Sequence, residues 1–347
     1  MSDKLERHFG AISRIGGCCD RRYARGDRGV GSFLPTDQAR MKAFVSVLLF
    51  TGGVLRAAET LEKSYAPLGQ LIVTQFDSAP FPHPARAEGY TYKEKLFPAK
   101  EHYSDSTVAI FVPNGYRETG QVDFVVHFHG WNNTVAGTLR TFKLIEQFVE
   151  SGRNAVLLVP EGPRNAPDSF GGKLEDEGGF KRFIDEVIAT LREKAEFKKK
   201  DVNVGNIVLS GHSGGYRVMS AILDRGGLSP KVKEVWLFDA LYAEADNFLG
   251  WWNKEQGRLM NIYTDNGGTK DDSEAMMELL KKRGIAFLSS EEANVTEKEL
   301  KTNKLVFLHT DLGHNDVLEK RNTFGLFLKT SCLAEIRIGE ESDRERR

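Results

Sequence analysis

One stretch limits the possible folds more than any other. Asn206-Ile207-Val208-Leu209-Ser210-Gly211-His212-Ser213-Gly214-Gly215 is an apolar run that stops at a Gly-x-Ser-x-Gly turn, and Tyr216 to Leu223 continues with apolar residues at helical spacing. The run reads as a buried strand and the continuation as a helix, which puts Ser213 at a strand-to-helix corner. A corner this sharp forces its central residue into a strained backbone, and glycines two residues either side avoid collisions with the adjoining strand and helix. Gly211 and Gly215 stand at those places. Such a corner lifts the Ser213 hydroxyl clear of the sheet and turns the next N–H, that of Gly214, toward a developing oxyanion beside the helix N-terminus. A chain with 34 glycines also produces this pentapeptide by chance, so the weight falls on what accompanies it.

The rest of the chain alternates in the same way. Apolar runs predict strands over Gly69–Phe76, Thr107–Pro113, Asp123–His129, Ala155–Pro160, Val232–Asp239, Arg258–Asp265 and Lys304–His309. Helical spacing predicts helices over Thr138–Ser151, Phe180–Lys194, Ala243–Asn253 and Asp272–Arg283. Continuous apolar strands interleaved with amphipathic helices mean a mostly parallel sheet covered on both faces, and in such α/β sheets chemistry collects at the carboxyl ends of the strands.

Several expected strand ends carry reactive groups. His129-Gly130-Trp131 follows the third strand, where a glycine lets backbone approach a ligand and the Trp131 N–H would be a second oxyanion donor. For His127 and His129 the favoured role is structural hydrogen bonding, because no carboxylate or third histidine stands at supporting spacing for a metal. Gly313-His314 lies beyond the last strand, on a loop free to bring its ring onto Ser213, whereas His309 falls within the strand. Two acids qualify to orient that ring: Asp239 at the end of the strand after the nucleophile, and Asp265 at the end of the next. Either gives the order Ser, Asp, His.

In that order these parts resemble the α/β-hydrolase superfamily, and they are similar to its secreted esterase-like members. The resemblance spans about Leu71 to Leu328 and rests on His129-Gly130-Trp131, Gly211-His212-Ser213-Gly214-Gly215, an acid after a late strand, and Gly313-His314. It implies an α/β-hydrolase fold in which Ser213 is the nucleophile and His314 the base. Gly214 and Trp131, with Gly130 beside them, then form the oxyanion hole. By the family's usual placement the acid is Asp265, with Asp239 as the known variant. The implied activity is ester hydrolysis, amide less so, through an acyl-enzyme and without metal or organic cofactor. A serine peptidase, a carbohydrate esterase or a binding protein that has kept the fold are the alternatives.

Two departures refine this. Between Asp239 and Arg258 there is room only for a short helix, so no large lid domain is expected; Trp251 and Trp252 on that helix are candidates to line an acyl pocket. A long polar loop, Glu161 to Gly179, leaves a strand end and should border the site, which makes Lys173 a further substrate-binding candidate and favours a substrate with hydrogen-bonding groups.

The net charge of −1 and the lack of a basic block in the body of the chain exclude a nucleic-acid partner, leaving a small-molecule or polymer ester. Met41 to Ala58 has a basic start, an apolar stretch of about a dozen residues and small residues at its end, the pattern of a secretory leader and too short to span a bilayer. The expectation is therefore translation from Met41, residues 1–40 as a non-native or disordered extension, a leader over 41–58, a hydrolase domain over 59–335 and a polar tail over 336–347. The mature protein would be exported, periplasmic or secreted, with no integral membrane span. It would retain only Cys332, hence no internal disulfide, with that cysteine expected to be a small buried residue.

Overall fold

The physical basis of the architecture is visible in the two strands that flank the corner. On β5 (Gln121–Phe128) Phe124 and Val126 enter one core while Val125 enters the other, and on β7 (Asn203–His212) Ile207 and Leu209 part from Val208 in the same way. Successive side chains leave a strand on opposite faces, so a strand covered on both sides needs an unbroken apolar run. The computed structural model describes residues 58–195, 197 and 202–336. The expected N-terminal extension, the leader up to residue 57 and the tail beyond 336 lie outside the described residues.

Nine strands make the main sheet, in the order β1 (Gly69–Gln75), β4 (Thr107–Pro113), β6 (Val156–Pro160), β5, β7, β8 (Val232–Phe238), β9 (Arg258–Thr264), β11 (Leu305–Thr310) and β10 (Leu288–Glu291). All pairs are parallel except those made by β4, which runs against both β1 and β6. A separate hairpin joins β2 (Tyr90–Tyr92) to β3 (Lys95–Phe97).

One face of the sheet is covered by the helices Gly179–Lys194, Tyr216–Arg225, Ala245–Glu255 and Lys270–Lys282. The first places Phe180, Phe183, Ile184, Val187 and Leu191 on the sheet. Each such side chain, fully buried, contributes about 1.5–3 kcal/mol before the entropy of ordering it is subtracted. The other face is covered by Val135–Thr141, Leu144–Glu150 and Thr323–Lys329, together with Leu61 and Tyr65 of a helix at 58–65.

Three expectations are corrected here. The single helix expected over Thr138–Ser151 is two, because Lys143 takes a left-handed conformation (φ 48°) between Thr141 and Leu144 and turns the chain. Cys332 is exposed, with its backbone N–H donating to Glu234 Oε1 at 2.6 Å; the apolar residues around it in sequence, Phe327, Leu328 and Leu333, take the buried places. Trp251 is buried among core residues, its ring packed beside Gly257, and Trp252 packs partly against the same core. Trp251 is spent on the core, because helix Ala245–Glu255 turns that face to the sheet, while Trp252 stays half-buried at its edge. Among the described residues no helix is long and apolar enough to cross a membrane.

Candidate active site

The sheet brings three loops together because β5, β7 and β8 are neighbours whose ends lie level, Phe128 beside Gly211 and His212 beside Phe238. His129-Gly130-Trp131, Ser213-Gly214-Gly215 and Asp239 therefore emerge side by side. Ser213 has φ 51°, a left-handed conformation costly for a residue with a Cβ. The glycines around it are needed for space. A Cβ on Gly211 would run into Met219 Sδ, and one on Gly215 would stand 2.7 Å from the carbonyl oxygen of Phe128. On Gly130 it would stand 2.6 Å from Ser213 Cβ and 3.2 Å from Ser213 Oγ, so that backbone lies directly against the serine. Among the described residues the N–H of Trp131, which lies outside any helix or strand, has no backbone acceptor. Unpaired backbone donors are rare in folded chains, and this one follows Gly130, whose backbone lies against Ser213.

His314 Nδ1 faces Asp239 Oδ2 at 2.6 Å, and the backbone carbonyl of His314 lies 2.9 Å from His212 Nε2. The residue before Ser213 thus holds the loop that carries His314. Asp239 is fully buried and itself left-handed (φ 46°). Thr264 Oγ1 donates to Oδ2 at 2.8 Å, Thr264 N–H to Oδ1 at 3.3 Å, and Thr269 Oγ1 also donates to Oδ1. Burial raises the Asp239 pKa, but the hydrogen bonds from His314, Thr269 and Thr264 outweigh it and hold the carboxyl below its ordinary value. Burial and the nearby His314 instead push His212 down to about 4, so this ring is neutral near pH 7.

The structure does not place Asp265 on His314. Its carboxylate is half exposed and pairs with Lys270 Nζ at 2.7 Å and His309 Nε2 at 3.2 Å. β9 lies one strand farther from β7 than β8 does, and the turn that follows it folds Gly267 against Asp239 while Asp265 points away. His309 sits inside β11, bound also to Glu291 Oε2 at 2.8 Å. Lys173 is occupied too, donating from Nζ to the Asp77 carbonyl at 2.7 Å.

The loop Glu161–Gly179 does border this site, though largely buried. Ser169 accepts a 2.8 Å hydrogen bond from the Trp131 indole N–H and packs beside Gly214. The Trp131 ring itself is 42% exposed and meets the Tyr92 ring edge-on at 5.3 Å. Tyr242, whose hydroxyl donates to the Gly267 carbonyl at 2.6 Å, neighbours the Ser213 side chain. Thr264, Thr269, His212, Ser169 and Tyr242 were not singled out from sequence, and nothing in their local spacing marks them. Each acts on a residue far away in the chain.

A nine-stranded, mostly parallel sheet with one reversed strand, helices on both faces and a sharp strand-to-helix corner after its central strand is the α/β-hydrolase fold. The sequence matches no family model, and no curated protein matches it. Solved structures similar to it include the fluorophosphonate-binding serine hydrolase FphF of Staphylococcus aureus, at 11% identity and TM-score 0.45, covering 76% of this chain and 99% of that one. A feruloyl esterase module from Clostridium thermocellum is similar at 11% identity and TM-score 0.47, covering 78% and 91%. The S-formylglutathione hydrolase FrmB of S. aureus follows at 11% and 0.43, covering 76% and 98%.

Proposed function

We propose that this protein is a serine hydrolase that cleaves an ester bond by way of an acyl-enzyme. Ser213 Oγ attacks the carbonyl carbon while His314 Nε2 takes its proton. The N–H groups of Trp131 and Gly214 receive the oxyanion. Collapse expels the alcohol, which is protonated by His314, and water then repeats the sequence on the acyl group. Asp239, rather than Asp265, orients the ring: its carboxylate accepts from Nδ1–H, which leaves Nε2 with the lone pair a base requires. The observation that carries this reading is the 2.6 Å contact between His314 and the buried Asp239, beside a serine held at positive φ. The exposed Trp131 ring next to Gly130 offers a flat face to a ring-bearing group of the substrate, an aromatic acid or a sugar.

The test is labelling of the purified protein with a fluorophosphonate probe, with Ser213→Ala as control. A single adduct mapped to Ser213 is expected. A folded sample that takes up no probe would overturn the reading and favour a binding protein on this fold. Export, expected from the leader pattern at 41–58, remains part of the proposal. An intact mass from the native host that begins far from Ala57–Glu59 would remove it.

A further inference from the structure

Three groups meet behind the loop that carries Trp131. His129 and Glu161 are both buried, with side chains 1% and 3% exposed, and His129 Nε2 lies 3.0 Å from Glu161 Oε1. The other ring nitrogen, Nδ1, lies 2.8 Å from the carbonyl oxygen of Gly130. A carbonyl only accepts, so Nδ1 carries a hydrogen in every protonation state that keeps this contact. Glu161 is tied down in turn, since its Oε2 accepts from the Val135 N–H at 3.1 Å at the start of helix Val135–Thr141. Gly162 closes the back of the ring: its N–H points at Nε2 from 2.9 Å, and a Cβ there would stand 3.1 Å from that atom.

The carbonyl that His129 grips belongs to the same peptide unit as the Trp131 N–H. A trans peptide is planar, with its C=O and N–H pointing in opposite directions. Fixing the carbonyl oxygen on the protein side therefore fixes the N–H on the other side, where Gly130 lies against Ser213 and the donor has no partner. Glycine at 130 makes this necessary, because without a Cβ the peptide has more freedom to rotate than any other residue would give it.

We propose that the buried His129–Glu161 pair is a positioning device for the oxyanion hole, holding the Gly130–Trp131 peptide so that its N–H stays aimed at the reacting carbonyl. The proposal rests on the hydrolase reading above. His129 is a positioning residue and touches no substrate. Burial alone lowers the pKa of the ring, but hydrogen bonding and charge from Glu161, with help from the Gly130 carbonyl, reverse this and raise it.

The experiment uses the full chain labelled with 15N-tryptophan. Four tryptophans give four backbone amide peaks, and Trp131→Phe assigns one of them. The variants are His129→Phe, which removes the donor, Gly162→Ala, which pushes on the ring with one methyl group, and Glu161→Gln, which keeps an amide oxygen for Val135 and leaves Nδ1–H in place. In His129→Phe and Gly162→Ala the Trp131 amide peak should move, and kcat on a p-nitrophenyl ester per titrated serine should fall about tenfold or more with KM nearly unchanged. Loss of a whole oxyanion donor costs about a hundredfold or more. Glu161→Gln should lose less than either, because the contact to Gly130 survives. If His129→Phe does not fold, Gly162→Ala decides alone. A Trp131 peak that does not move overturns the proposal whatever happens to kcat. A peak that moves in a protein whose serine never reacts leaves the positioning intact and removes the hydrolase reading instead.

Discussion

Replacing Asp239 by asparagine is the most demanding test of the site. The carboxylate accepts four hydrogen bonds, from His314 Nδ1 and Thr264 Oγ1 on Oδ2 and from Thr269 Oγ1 and Thr264 N–H on Oδ1. Asparagine offers one accepting oxygen and one donating NH2. The Oδ1 side faces a backbone N–H, which cannot rotate away, so the amide oxygen is held there and the NH2 is turned toward His314. A donor facing Nδ1 selects the tautomer with hydrogen on Nε2, and that ring cannot take the proton of Ser213. The wrong tautomer in a triad of this kind costs about 10⁴ in kcat, or about 5 kcal/mol of transition-state stabilisation. Asp265→Asn removes a half-exposed partner of Lys270 and His309 and should leave kcat within about twofold. The assay is kcat on a p-nitrophenyl ester, normalised to the folded fraction by circular dichroism. Asp239→Asn retaining a tenth of wild-type activity while Asp265→Asn collapses would refute the reasoning and return the acid to Asp265.

The remaining predictions concern the glycines, the exposed ring and pH. Gly130→Ala puts a methyl 2.6 Å from Ser213 Cβ, so it should cut kcat by about a hundredfold and also lower the melting temperature. Gly215→Ala instead presses on the Phe128 carbonyl in the sheet, and overpacking of that kind should cost about 1–3 kcal/mol, read as a lowered Tm. Trp131→Ala keeps the backbone N–H and removes the ring. KM for an aromatic or glycosyl ester should rise several-fold while kcat for an acetyl ester holds, and equal effects on both substrates would argue against a ring-binding face. The folded pKa of Asp239 is lowered, so folding favours its charged form. That stabilisation is complete above the unfolded value of about 3.9 and is lost as pH falls through the lower folded value. The Tm gap between wild type and Asp239→Asn should be constant above about pH 5 and close in stronger acid. A gap that widens in acid would contradict the sign.

Much of the fold was legible because its cause is local. The strands at Thr107–Pro113, Val232–Phe238 and Arg258–Thr264 are continuous apolar runs, and the stripe from Phe180 to Leu191 repeats every three or four residues. The reversed direction of β4 was not legible, since an apolar run looks the same read either way. β10 escaped notice because Leu288–Glu291 is short, polar and at an edge. The aromatic pair Trp251-Trp252 illustrates the opposite error: a conspicuous local feature proved to be core packing, because the helix that carries it turns Trp251 into the sheet.

The same division runs through the site. The strand-to-helix corner at Ser213, with glycines where a Cβ would collide, follows from nearest neighbours in the chain, and so does the loop that carries His314 beyond the last strand. Which aspartate meets His314 does not, because both stand at strand ends in the correct order. That choice was made by the placing of β8 beside β7, by a turn that lays Gly267 over Asp239, and by Thr264 and Thr269, 25 and 30 residues away, supplying the hydroxyls that keep a buried carboxylate charged. The pairing of His129 with Glu161, 32 residues apart, is likewise written nowhere in local spacing. Periodicity and steric exclusion act over a few residues and can be read from sequence. The partners of a buried charge depend on which loops the sheet brings level, and only the tertiary structure decides that.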